Sequence, residues 1–236
     1  LGRAERNFVP PYMADVDPWM GETAADNRYV AVDGSDIQPD LHLGRLPAKT
    51  AVEVTTMVNK ALAYAADTSA DAWKGRLLFV ADNPDTGGNF RSFSDAVADY
   101  YVPAPYSNQK IYYGLAPYTS GATTRTAIVN AIKSGKLMVN YIGHSAIQYW
   151  AGEQLMNLAA IASLTNTQTL PFMMPMTCYE GYYVRPTGAS DASSVGESFV
   201  RKSGGGAIAS WSPTGLGVAN GHDIINKAFY QAAFYE

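Results

Sequence analysis

The sequence has 236 residues, of which 47% are hydrophobic and 16% charged, and its formal net charge is −4. That is enough apolar chain to bury one good core, and the negative balance excludes a basic surface for nucleic acid. A single cysteine excludes an intrachain disulfide framework and a multi-thiolate zinc site, and no apolar run is long enough to span a membrane.

The first forty residues are turn-rich ("VPPYMADVDPWMGETAADN", then "RYVAVDGSDIQPD") and read as a segment distinct from a domain over 41–236, with the end of a preceding subdomain as one expectation. Asp33, Asp36 and Asp40 fall in that stretch. Their hard oxygens make them a candidate Ca²⁺ set, although the twelve-residue EF-hand pattern is missing and a solvated turn explains them as well. His42 precedes "LGRLP" inside an expected strand.

From there the pattern is regular. "TAVEVTTMVNKALAYAA" opens with Thr50 and Glu53 in capping-box register and continues with apolar residues at helical intervals. "GRLLFVADN" predicts a strand ending at Asp82, "SDAVADYY" a short helix, "KIYYG" a strand and "TTRTAIVNAIKSG" a helix stopped by Gly135. "KLMVNYIGHS" predicts a strand ending at His144, followed by a helix in "EQLMNLAAIASL". "LPFMMPMTC" predicts a strand ending at Cys178, with Pro175 pointing to an edge or a bulge. "SSVGESFVRKSGG" is a helix with Ser194 and Glu197 again in capping-box register, "GAIASWS" a strand, and "GHDIINKAFYQAAF" a final helix. Continuously apolar strands alternating with helices predict an α/β fold, a mostly parallel sheet covered on both faces. The chain starts at Leu1 and ends in a running helix, so it is expected to be a processed piece of a larger multidomain protein.

In open α/β sheets the binding crevice lies beyond the carboxyl ends of the strands. Asp82, His144, Cys178 and the "SWSPTG" segment with Trp211 all fall there. Taken singly, Cys178 reads as a small buried hydrophobe and His144 as a loop histidine. Taken together on consecutive parallel strands, they read as a thiol nucleophile and its acid–base partner, because a thiol near pKa ~8.5 needs a base to become a thiolate at neutral pH. Backbone N–H groups of Ser145 and Cys178 are the simplest donors for a tetrahedral oxyanion. His222, at the start of the last helix, competes as the base.

Four stretches carry a resemblance: "DGSDIQPDLHLGRLPAKT", "LLFVADNPDTGGNFRSFSD", "LMVNYIGHSAIQYW" and "LPFMMPMTCYEG", the last followed by "ESFVRKSGGGAIASWSPTG". In this order they resemble the catalytic domain of the gingipain-type cysteine peptidases. The resemblance implies a caspase-like three-layer αβα sandwich and hydrolysis of peptide bonds through a thioacyl-enzyme, with Cys178 as nucleophile and His144 as general acid/base. It matches Asp82 to an acidic residue that orients the histidine, and it implies an oxyanion hole at Ser145 and Cys178. Asp95 is the match for an S1 acid that pairs with Arg or Lys of the substrate, with Trp211 walling the pocket. It further implies protein or peptide substrates, no cofactor for catalysis, and a secreted or cell-surface location. The residue after the histidine is usually Gly and here is Ser145, which motivates the rival expectation of an inactive binding or scaffold domain.

Overall fold

The computed structural model describes residues 9–184 and 193–236. In chain order it contains β1 (Met13–Asp17), β2 (Gly21–Ala24), α1 (Ala51–Ala66), β3 (Arg76–Ala81), α2 (Phe90–Tyr100), β4 (Ser107–Tyr112), α3 (Gly121–Lys133) and β5 (Met138–Ile142). There follow β6 (Ser145–Ala146), β7 (Tyr149–Trp150), β8 (Met156–Asn157), α4 (Leu158–Ala162), β9 (Phe172–Met176), α5 (Val195–Arg201), β10 (Ala209–Ser210) and α6 (Ala219–Tyr235).

The central sheet has the order β10-β9-β5-β3-β4, and every pairing in it is parallel. Side-chain alternation along β3 splits the core in two. Leu78 and Val80 pack with Ile128, Ile132, Ile161 and Phe199 on the face carrying α3, α4 and α5. Leu77, Phe79 and Ala81 pack with Phe90, Val97 and Tyr230 on the face carrying α2 and α6. This is the expected α/β sandwich: both faces are covered, so the strands read as apolar runs with no polar alternation. Full burial of each large side chain contributes roughly 1.5–3 kcal/mol.

The expected capping boxes form at α1, from Thr50 and Glu53, and at α5, from Ser194 and Glu197. The helix expected in "EQLMNLAAIASL" shrinks to α4, because Met156–Asn157 pairs with β7 and the Asn157 side chain then caps the helix. Pro175 lies in a strand with neighbours on both sides, so β9 is not an edge strand. Pro171 and Met173 turn their carbonyls to Ile208 and Trp211, on the β10 side, and β10 pairs no further than Met173. By the two-residue period Pro175 faces that same side past the end of β10, so its missing N–H breaks no ladder bond.

The segment before residue 41 contains structure that its turn-rich sequence hides. β1 and β2 form an antiparallel hairpin whose carboxyl end docks on the loop 212–218. Thr23 Oγ1 donates to Thr214 O at 3.0 Å, Thr214 Oγ1 donates to Ala24 O at 2.8 Å, and Leu216 N donates to Asp17 Oδ2 at 2.6 Å. Residues 1–8 of that segment lie outside the described residues.

Candidate functional site at the strand carboxyl ends

The register places the chemistry-bearing residues. Ala81 of β3 pairs with Ile142 of β5, and Ile142 pairs with Met176 of β9. Asp82 is one residue past this row, and His144 and Cys178 are each two residues past it on adjacent strands. β4 leaves β3 on one side and β5 returns on the other, so this is also where the strand order reverses.

Asp82 is 3% exposed, and its carboxylate accepts from Asn83 N at 2.8 Å and from His144 N at 3.3 Å. Burial pushes its carboxyl above the ordinary value, against the two amides that favour the anion. It therefore holds the His144 backbone, whereas the resemblance implied that it orients the ring. The ring contact belongs to Asp85, whose Oδ2 lies 2.8 Å from His144 Nε2. A small burial cost opposes ionisation of Asp85, but the Gly87 amide and His144 hold its carboxyl below the usual range. Phe90 meets the imidazole edge-on at 5.1 Å between centroids. With Nε2 engaged by Asp85, Nδ1 is the nitrogen left for a reacting group.

The tight spot is Gly143, before the histidine. A Cβ there would lie 2.5 Å from both Asp82 Cβ and Tyr141 Oη, so only glycine lets the strand pass between them. Tyr141 Oη then donates to His144 O at 2.6 Å. Ser145 sits in β6 with φ outside the left-handed region, and its hydroxyl donates to Cys178 O. A serine is thus unstrained here, and it ties the two strand ends together.

Cys178 is half-buried, and its Sγ lies 3.5 Å from Gly217 O as a donor. Burial pushes the thiol above its ordinary pKa, and the charge of Asp17 pushes the same way. His222 packs over Gly217, where a Cβ would come 2.4 Å from His222 Nε2. Burial lowers its pKa, so its ring is neutral at pH 7. A pocket of about 420 Å³ opens beside Gly217, lined by Trp19, Met176, Trp211, Leu216, His222 and Ile225 among others. Trp211 therefore walls a pocket next to the thiol.

Asp95 is not brought to this place. It pairs with Lys110 Nζ at 2.6 Å and accepts from Tyr112 Oη at 2.9 Å, both on β4, the far edge of the sheet from β9. The three aspartates of the N-terminal stretch do not gather either. Asp40 accepts from Val32 N and Asp33 N, Asp33 from Gly34 N, and Asp36 from Gln38 N. Each caps a local turn, and among the described residues no cluster of three His, Cys, Asp or Glu side chains is arranged to hold a metal ion. His42 is exposed and outside any strand.

The model of peptidase family C25 matches residues 1–236. The chain belongs to that family. Gingipain R2 of Porphyromonas gingivalis is 25% identical over 166 residues, covering 68% of this chain and 22% of the relative. Lys-gingipain of the same organism is 26% identical over 263 residues, covering 97% of this chain and 14% of the relative. The crystal structure of the Arg-specific cysteine proteinase gingipain R superposes with a TM-score of 0.71 at 22% identity, over 93% of this chain and 50% of that one. The chain thus spans about a fifth of the first relative and half of the solved one, and the superposition bears out the caspase-like sandwich.

Within this C25 chain, the sequence left unmarked a buried layer beneath the strand ends. Trp150 is fully buried, stacks on Tyr141 at 4.3 Å, and donates Nε1–H to Glu180 Oε2 at 2.7 Å. Arg45 of "LGRLP" stacks over Tyr183 at 4.8 Å and reaches Asp26 at 2.5 Å, clamping the N-terminal segment to the chain that leaves Cys178.

Glu180 is fully buried, and burial raises its pKa to about 8, with the Trp150 N–H acting the other way. Below the ordinary value of 4.5 the carboxyl is protonated in both folded and unfolded chains. Between about 4.5 and about 8 the unfolded chain has released this proton and the folded one has not, so folding stability falls as pH rises through that window. Glu180→Gln removes the titration. Its stability relative to wild type should climb from pH 4.5 to pH 8, by roughly 5 kcal/mol across the window, with the melting temperature rising in step. Parallel melting curves across that range would reject the assignment.

Proposed function

We propose that this chain is a cysteine endopeptidase domain working through Cys178 and His144. The observation that carries the reading is the shared offset: thiol and imidazole stand two residues past paired positions of adjacent parallel strands, at the reversal of strand order. In the proposed reaction the Cys178 thiol gives its proton to His144 Nδ1 as sulfur attacks the scissile carbonyl. The amides of Ser145 and Cys178 take the oxyanion. The protonated imidazole, steadied by Asp85, hands the proton to the leaving amine, and water then releases the thioester and restores the thiol. The raised thiol pKa fits a thiol that stays protonated until substrate arrives, in place of a resting thiolate–imidazolium pair.

An unbiased peptide library tests the reading. Wild-type protein should cut peptides, and Cys178→Ala should not. A wild-type chain inert across the library would favour the rival, a binding or scaffold domain that keeps the fold. Family membership and the larger size of the relatives support protein substrates and a larger parent chain. The secreted or cell-surface location rests on the resemblance. Among the described residues no helix is long and apolar enough to cross a membrane.

Asp85 and Asp82 separate in a second test. Asp85→Ala should lower kcat about 10–100-fold and shift the acid limb of the pH–rate profile with little loss of stability, because the side chain is partly exposed and only the ring loses a partner. Asp82→Ala takes the carboxylate acceptor from the part-buried His144 amide and should lower stability by about 1–3 kcal/mol. If Asp82→Ala alone altered the pH profile, the roles of the two aspartates would be reversed.

A further inference from the structure

The pocket beside Cys178 has a chemistry of its own. Its walls are Trp19, Pro175, Met176, Trp211, Pro213, Leu216, Val218 and Ile225, with Ser212 and His222 as the polar side chains. Both polar groups are neutral in effect: the Ser212 hydroxyl is taken by Ser210 Oγ at 2.5 Å, and burial keeps the imidazole uncharged. Among the described residues no carboxylate lines it. The nearby Asp17 is turned to the amides of Trp19, Met20 and Leu216, and Asp223 on α6 is paired with Lys227 at 2.6 Å. Asp95 is tied to Lys110 on the opposite edge of the sheet.

The position of the pocket fixes what enters it. Met176 is two residues before the thiol, and Gly217, whose carbonyl receives the thiol, is part of the wall. A substrate whose scissile carbonyl lies at Cys178 Sγ therefore has its adjoining side chain within reach of this opening. At about 420 Å³ the pocket is in the range of ligand clefts, roughly 300–1,000 Å³, and takes a whole large side chain.

We infer that this pocket selects an uncharged, apolar P1 side chain, of the size of methionine, leucine or phenylalanine, in place of arginine or lysine. A buried guanidinium or ammonium would lose its hydration and find no anion in the walls. An apolar side chain would instead cover Met176, Leu216 and Ile225 and lie against Trp211, which is 45% exposed, and Trp19, which is 57% exposed. This inference rests on the peptidase reading.

Peptidyl chloromethyl ketones that differ only at P1 separate the two. Norleucine, leucine, phenylalanine, arginine and lysine versions would be incubated with the protein, and alkylation of Cys178 followed by mass spectrometry, with Cys178→Ala as the blank. The apolar ketones should label at least about 10-fold faster than the basic ones. Faster labelling by arginine or lysine would overturn the inference and leave the peptidase reading standing. If no ketone labelled a Cys178 that iodoacetamide does label, the peptidase reading would fall and the inference with it. Ile225→Asp puts a carboxylate on a half-exposed wall position of α6 and should reverse the order in favour of arginine. An unchanged order in that variant would place the P1 side chain elsewhere and also overturn the inference.

Discussion

Cys178→Ala is expected to cut peptidase kcat/KM by about 10³-fold or more while leaving the melting temperature nearly unchanged. The asymmetry follows from what the side chain touches. Its sulfur makes one long donor contact, to Gly217 O at 3.5 Å, and is only half-buried, so little packing is lost. The loop it contacts is held by other bonds: Tyr179 N to Gly215 O at 2.9 Å, Gly181 N to Pro213 O at 2.9 Å, and Leu216 N to Asp17 Oδ2 at 2.6 Å. The covalent step, by contrast, loses its nucleophile outright, and the neighbouring hydroxyl is no substitute, because Ser145 spends it on Cys178 O. Retained cleavage would move the chemistry away from Cys178. Lost cleavage together with a collapsed melting transition would show that the thiol serves packing. His144→Ala should repeat the loss, and His222→Ala should leave most of the rate if His144 is the base. The reverse pattern would hand the role to His222, whose ring lies against the same Gly217 carbonyl segment.

How far the sequence could be read depends on how local each signal is. β3 and β5 were legible because a strand buried on both faces has to be apolar throughout, as in "RLLFVA" and "MVNYI". The strand-end positions of His144 and Cys178 were legible because placing them needs only the strand boundary to be found. Asp85 was missed for the opposite reason. Asp82 and Asp85 follow the same strand, and the choice between them turns on a tertiary detail. Asp82 directly follows the last paired residue and stays within the sheet edge. Asp85 sits in the turn bridged to Gly88, which brings its carboxylate back over the imidazole. The "DTGG" run was the signal available, as a turn placing an acid near the strand end.

The pocket and the N-terminal hairpin were illegible for a different physical reason. Asp17 acts on Leu216, 199 positions away, Thr23 donates to Thr214 O across 191 positions, and Thr214 donates to Ala24 O across 190. No periodicity within a window reports such pairs. Asp95 shows the converse error. An acid at plausible spacing matched a specificity role, but its helix turns it to β4, where Lys110 and Tyr112 claim it. The family fold therefore persists at about 25% identity, while the pocket beside Cys178 is assembled from residues far apart in the chain, with no local signature.

The largest expected loss of stability comes from a side chain that touches no substrate. Trp150→Ala should cost about 3–5 kcal/mol and abolish peptidase activity even in the fraction that remains folded. The indole is fully buried, stacks on Tyr141 at an interplanar angle of 3°, and contacts Phe199 across the core at 6.2 Å. It also supplies a hydrogen bond to the Glu180 carboxyl, whose other oxygen, Oε1, is buried without a hydrogen-bond partner among the described residues. Removing it opens a cavity and strands that group. The damage then travels a short way to the site. Trp150 pairs with Ser145 across the β6–β7 hairpin, Ala151 N holds His144 O at 2.8 Å, and Tyr141 Oη holds the same carbonyl at 2.6 Å. A loosened Tyr141 and hairpin free the His144 backbone on one side, leaving Asp82 to hold it alone. Trp150→Phe separates the contributions. It keeps much of the stacking but removes the N–H, so it should lose less stability than alanine, and the loss should grow as pH rises above about 8, where wild type ionises Glu180 and the variant, lacking the donor, holds it protonated. Denaturant melts at about pH 6, 8 and 9.5, with Cys178 alkylation as the report on the site, give both readouts. A stability difference between Trp150→Phe and wild type that is the same at about pH 6 and pH 9.5 would show that the indole N–H carries no part of the Glu180 carboxyl.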